Sequence, residues 1–116
     1  VRQELINEDP AAVKALVNSA ARSGLWAQKN PGEAAKIASV YWHQSVELVE
    51  YAMSTPKHRI LYNRFVPKED EMQAIADKMQ HYGLIDNNDI SGLVYDRFAL
   101  DAELQNIDGL ESIVGL

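Results

Sequence analysis

Two Asx-Pro pairs, Asp9-Pro10 and Asn30-Pro31, constrain this chain more than any other feature. A residue before proline is barred from helical dihedrals, whereas proline at a first helical position sacrifices no hydrogen bond. Each pair is therefore a strong helix start. The Asp9 carboxylate can accept from the first free amides, so a helix is expected over about Pro10 to Gln28. Val13, Leu16, Val17, Ala20 and Gly24, spaced three and four apart, form its apolar face, which Leu25 and Trp26 widen. The second pair predicts a helix over about Pro31 to Trp42, with Asn30 as cap and Glu33 reaching back to the cap amide. Ala34, Ile37, Ala38 and Tyr41 are its expected inward positions.

Ser45 predicts the cap of a third helix, carrying Val46, Val49 and Met53, which Pro56 ends. It should form a hairpin with the second. "HRILYNRFVP" then alternates with a period near two, as an extended connector or a single edge strand would. The helical rhythm returns in "PKEDEMQAIADKMQHYG", where Glu69, Asp70 and Glu71 favour the N-terminal dipole and Lys78 and His81 the C-terminal end. Met72, Ile75, Ala76, Met79 and Tyr82 are its expected buried stripe, and Gly83 can close it in the left-handed region. Asp86 to Asp89 reads as a polar hinge, with Asp89 capping a short turn that bears Ile90, Leu93 and Val94. The tail, residues 107–116, carries Ile107, Leu110, Ile113 and Val114 without a clean period. The expected fold class is mainly α: a small bundle of four to six helices, with at most one short extended segment, in a single helical domain over residues 1–116.

Composition bounds the function. A hydrophobic share of 47% beside a charged share of 24% supplies enough apolar surface for an ordered core. Asp and Glu number 17 against 11 Lys and Arg, and the net charge of −6 opposes attraction to nucleic acid or anionic lipid. With no cysteine, disulfides, thiolate catalysis and zinc-thiolate or iron-sulfur sites are excluded. No apolar run approaches the roughly 20 residues that cross a bilayer, so membrane insertion is not expected. "VRQELINEDP" lacks a signal-peptide core. Val1 opens what reads as the tail of a strand, "VRQ", and with no initiator Met a preceding part of the protein is expected.

The candidate chemistry is sparse. Among His43, His58 and His81, only His81 has an acidic neighbour one helical turn away, Asp77, which reads as a solvated pair near a helix C-terminus. "DNNDISG" invites a calcium-loop reading, but from Asp86 the frame meets Ile90, Ser91 and Arg97 where oxygen ligands and glycine belong, and from Asn87 it ends on Phe98. A hinge with a cap explains it better. Trp26 and Tyr41 are expected in the core, and Lys57, His58 and Arg59 are too short a basic run to bind nucleic acid. No nucleophile elbow or phosphate-binding glycine loop is present, so no catalytic, metal or cofactor residue is assigned and no enzyme activity is expected.

The stretches "VRQELINEDPAAVKALVNSAARSGLWAQKNPGEAAKIASVYW", "VPKEDEMQAIADKMQHYGLID" and "DISGLVYDRF" together resemble the C-terminal part of extracytoplasmic solute-binding proteins of ABC transporters. The type is that of nitrate, sulfonate and bicarbonate binding, a group related to the thiamine-pyrimidine synthesis family. The likeness spans about residues 1 to 98. It implies a type II periplasmic-binding-protein fold, with two α/β lobes clamping a small solute and most pocket residues upstream of Val1, so no ligand-binding residue is assigned here. Its implied partners are the N-terminal remainder of the parent protein, an ABC permease and a small solute, and its implied location is periplasmic or extracytoplasmic. A fragment of a pyrimidine-synthesising enzyme and a free-standing helical interaction module are the alternatives. With Val13, Leu16 and Val17 and the tail from Ile107 uncovered, a homo-oligomer through these faces is expected.

Overall fold

The computed structural model describes residues 1–113, which leaves Val114, Gly115 and Leu116 of the apolar tail outside the description. Six α-helices and one 3-10 turn are formed among the described residues, with no strand. The first, α1 (Gln3–Glu8), replaces the expected strand tail: only Val1 and Arg2 precede the helix. Gln, Glu and Leu are good helix formers, and a helix needs no neighbouring strand to satisfy its backbone.

The Asx-Pro pairs then act as read. Asp9 leaves the helical region at φ −138° and ψ 69°, and its Oδ1 accepts from the Ala12 amide at 2.9 Å, starting α2 (Pro10–Lys29). Asn30 does the same at φ −127° and ψ 58° before α3 (Pro31–Trp42). One residue thus separates each pair of helices. The expected capping box at Asn30 is absent, because both its main-chain N–H and its side-chain amide donate to the Trp26 carbonyl, at 2.9 and 3.0 Å. Asn30 closes α2 rather than opening α3.

His43, in the left-handed region at φ 52°, ends α3, and Ser45 Oγ accepts from the Leu48 amide to start α4 (Val46–Ser54). The two helices pack as the expected hairpin, with Ala35, Ser39 and Val49 buried in it. Thr55 is extended before Pro56. From there to Lys68 the chain makes bends and turns, so the period-two segment is an irregular connector: it has no strand to pair with.

After it, α5 (Glu69–His81) ends as the glycine predicted. Gly83 has φ 68°, its amide donates to the Gln80 carbonyl, and the Leu84 amide donates to that of Met79 at 2.8 Å. Its expected buried stripe is a correction. Only Ala76 is buried, whereas Met72, Ile75, Met79 and Tyr82 are exposed, because the extensive helix pairs are α3 with α4 and α2 with each of α1, α3 and α6 (Arg97–Leu100), and α5 belongs to none of them. Asp89 caps no helix either. Its Oδ1 accepts from both the amide and the hydroxyl of Ser91, a local turn, and Leu93 closes a second turn on Ile90.

The interior is small. Five of its nine buried apolar residues are alanines, and the larger ones are Val13, Trp26, Val49 and Ile107. Val13 and Ile107, expected on open faces, are only 2% and 3% exposed, Val17 is half-buried, and of that group Leu16 remains open. The uncovered surface lies elsewhere. Tyr41 is 84% exposed instead of inward, with Ile37, Val40 and Trp42 also exposed, since α3 turns Ala35 and Ser39 toward α4. The accessible surface is 8738 Å², against about 6,300 Å² for a compact monomer of this mass. The radius of gyration, 16.7 Å, likewise exceeds the roughly 13 Å of a compact chain of this length.

The connector meets α2 closely at Gly24, where a Cβ would lie 2.8 Å from the Tyr62 carbonyl oxygen. Gly24→Ala should therefore destabilise the protein by about 1–3 kcal/mol despite alanine's better helix propensity. A urea midpoint at or above that of the parent chain would show that this approach does not constrain the fold.

Candidate functional site

The best-defined polar assembly joins the two ends of the sequence. Every fourth residue on one side of α2, from Lys14 through Asn18 to Arg22, and then Lys29 two turns on, faces the irregular strap of residues 103–113. Lys14 Nζ meets Glu103 Oε1 at 2.8 Å, and Asn18 Oδ1 accepts from the Glu103 amide at 3.1 Å. The Arg22 guanidinium gathers the carbonyls: Nε donates to Ser112 at 2.7 Å, Nη1 to Glu103 at 2.7 Å and Gln105 at 3.0 Å, and Nη2 to Asn106 at 3.4 Å. Lys29 Nζ reaches the Ile107 carbonyl at 3.3 Å. Carbonyls that no helix or sheet satisfies thus find charged donors.

Between these contacts the strap delivers an anchor. Among the described residues Ile107 joins Trp26 and Ala34 in one hydrophobic cluster, with Leu25, Met53, Leu104 and Ile113 packed around it. Charge is segregated to match: α2 contains Lys14, Arg22 and Lys29 and no acid, while residues 101–113 contain Asp101, Glu103, Asp108 and Glu111 and no base. The hydrogen bond to Glu103 and its charge raise the Lys14 pKa, and Lys14 lowers that of Glu103 in the same order of causes. Because the Glu103 pKa is depressed on folding, its contribution is present above the usual carboxylate range and is lost as pH falls through the folded value. Lys14, raised, contributes below its unfolded pKa and loses that contribution as pH rises through the folded one.

The residues singled out in the sequence are mostly not brought together. Asp77 Oδ1 binds the amides of Gln73 and Asn88, at 2.8 and 2.7 Å, and not His81, whose ring lies edge-on to Tyr82 at 5.0 Å. Those two bonds hold the Asp77 pKa below its ordinary value. They also pin the Asp86–Asp89 hinge to α5, aided by Gln73 on the Asn88 carbonyl and Gln80 on that of Asp86. Among the described residues no three His, Asp or Glu side chains are grouped as a metal site would require. His43 and His58 both adopt positive φ in connecting segments, and Lys57, His58 and Arg59 lie in an exposed turn. Trp26 is in the core as expected, 5% exposed.

Beside the strap runs an open apolar groove of about 360 Å³, walled by Trp26, Ala34, Ile37, Tyr41, Trp42 and Leu110. It can hold apolar groups, and the polar side chains in its lining are those of Ser23, Tyr41 and the Trp indoles. Arg22 was the residue that sequence reading missed. Its signal was three cations, Lys14, Arg22 and Lys29, at intervals of eight and seven residues on a helix without acids, with an acidic tail elsewhere in the chain.

No protein-family model, curated protein or solved structure matches the chain.

Two outcomes test this geometry. In a Trp42→Phe background, where Trp26 is the sole indole, Arg22→Met should red-shift the emission and cost about 2 kcal/mol, since it removes charged donors from four carbonyls. An unshifted spectrum would mean that the guanidinium does not hold the strap. For the hinge, the Asn88 side-chain amide resonances should titrate with a midpoint below 3.8, the ordinary Asp value. The linkage follows the depressed-carboxylate case, so the pin is intact above that range and released as pH falls through the folded pKa.

Proposed function

We propose that the chain is the C-terminal helical part of the solute-binding component of an ABC importer, of the nitrate, sulfonate and bicarbonate type or a pyrimidine-binding relative. The parent protein acts outside the cytoplasmic membrane and hands a small solute to a permease. The observation that carries this reading is the unclosed surface: about 8,700 Å² where a compact monomer exposes about 6,300 Å². It includes apolar stripes, Ile37, Val40, Tyr41 and Trp42 on α3 and Met72, Ile75, Met79 and Tyr82 on α5. Helices with that much apolar surface on an outer face ordinarily lean on a sheet or another layer. The two Asx-Pro starts and the Gly83 helix ending support the resemblance that brought the family into view. In this reading the solute is held upstream, by the two lobes.

The decisive experiment uses the parent protein. Calorimetry against nitrate, an alkanesulfonate, bicarbonate and an aminopyrimidine should give one saturable 1:1 ligand; binding of none, or a parent with no two-lobed part, would overturn the assignment. For the 116-residue chain, the open α3 face predicts concentration-dependent association in light scattering. Val40→Glu with Tyr41→Glu should suppress it with helix content unchanged. A monodisperse monomer of the unaltered chain at millimolar concentration would remove the physical support for a missing layer.

A further inference from the structure

The strap behaves as a ligand that happens to be tethered. Its partners on α2 are arranged as peptide-recognition surfaces are: donors aimed at main-chain carbonyls fix the register, a lysine pairs with one carboxylate, and a socket takes Ile107 with Leu104 and Ile113 at its rim. The surface on α2 is purely cationic and its occupant purely anionic. The strap contributes no regular element beyond the 3-10 turn Leu110–Ser112, so detaching it breaks no helix or sheet of the remainder. Its attachment rests on side chains of α2 and on Ile107, its most buried apolar side chain, with Leu104 and Ile113 packed beside it.

We propose that Lys14, Asn18, Arg22 and Lys29, with the socket formed by Trp26 and Ala34, are an exchangeable docking surface for an acidic peptide bearing an aliphatic anchor, and that a second copy of this chain supplies that peptide from residues 103–113. Within one chain the strap occupies its own surface. When two copies meet, the same contacts form between them, because the interface is identical in both arrangements and only the course of residues 101–102 differs. The charge complementarity that seats the strap also selects against peptides with basic residues at these positions. This inference is independent of the importer assignment, since it concerns only α2, α3 and the strap.

Complementation of two full-length variants tests it. Ile107→Asp spoils the anchor and frees an intact surface, whereas Arg22→Gln spoils the surface and frees an intact strap. Labelled with donor and acceptor dyes, the two should form a mixed dimer by energy transfer at least about tenfold tighter than either forms with itself. Val40→Glu and Tyr41→Glu in both chains remove the apolar α3 face from the comparison. Should either variant lose helix content, a fluorescein-labelled peptide of residues 102–113 replaces it as probe for the surface. That peptide should bind the full-length Ile107→Ala chain and bind the unaltered chain at least about tenfold more weakly, because the latter is already occupied. Equal association of each variant with itself and with the other, or equal peptide binding by occupied and vacated chains, would overturn the proposal.

Discussion

The Arg22 guanidinium holds the far end of the sequence against α2, and the small interior depends on that hold. With no regular element beyond one 3-10 turn, residues 103–113 have carbonyls to satisfy, and Arg22 supplies donors to four of them. That in turn seats Ile107 on Trp26 and Ala34, the only cluster of buried apolar side chains in the described residues. A charged side chain on a helix surface thereby creates the conditions for hydrophobic burial next to it. The fold is closed on this side by polar chemistry and left open on the α3 side, where no comparable donor set exists.

The local rules were legible in the sequence because they act over two to four residues. Asp9, Pro10, Ser45, Pro56 and Gly83 each did what their conformational limits require, and helix boundaries followed. Where two local rules competed for one side chain, the sequence could not rank them: Asn30 satisfies the last turn of α2 before it can cap α3. The faces were harder. Periodicity identifies an apolar stripe but not the layer that meets it, so Tyr41, Ile37 and the α5 stripe read as core and are exposed. The strap was illegible for a related reason, since main-chain carbonyl recognition by Arg22 leaves no pattern in the strap's own side chains beyond acidity. Asp77 bonds Gln73, four residues before it, and Asn88, eleven after it, and not His81, four after it.

Charge in this molecule is not spread evenly. A net charge of −6 coexists with a 20-residue helix that carries only positive groups. The three cations of α2 are seven or more residues apart, too far for strong mutual repulsion, and the acidic strap meets them through direct bonds. The acidic first turn of α5 serves a different purpose, facing the positive end of its own helix. The same composition therefore yields two unrelated electrostatic devices, one within a helix and one between distant segments.

The single-residue joint at Asp9 has a geometric consequence. Residues 3–29 would otherwise be one uninterrupted rod of about 40 Å, and the pyrrolidine ring of Pro10 is what prevents it. Because that ring bends the backbone at one position, the six residues of α1 fold back against α2 and bring Ile6 into the cleft that Val13 and Phe98 also line. A straightened corner would swing this short lever into solvent and take Ile6 from the cleft it shares with Val13, so the course of residues 3–29 turns on the dihedral angles of Asp9.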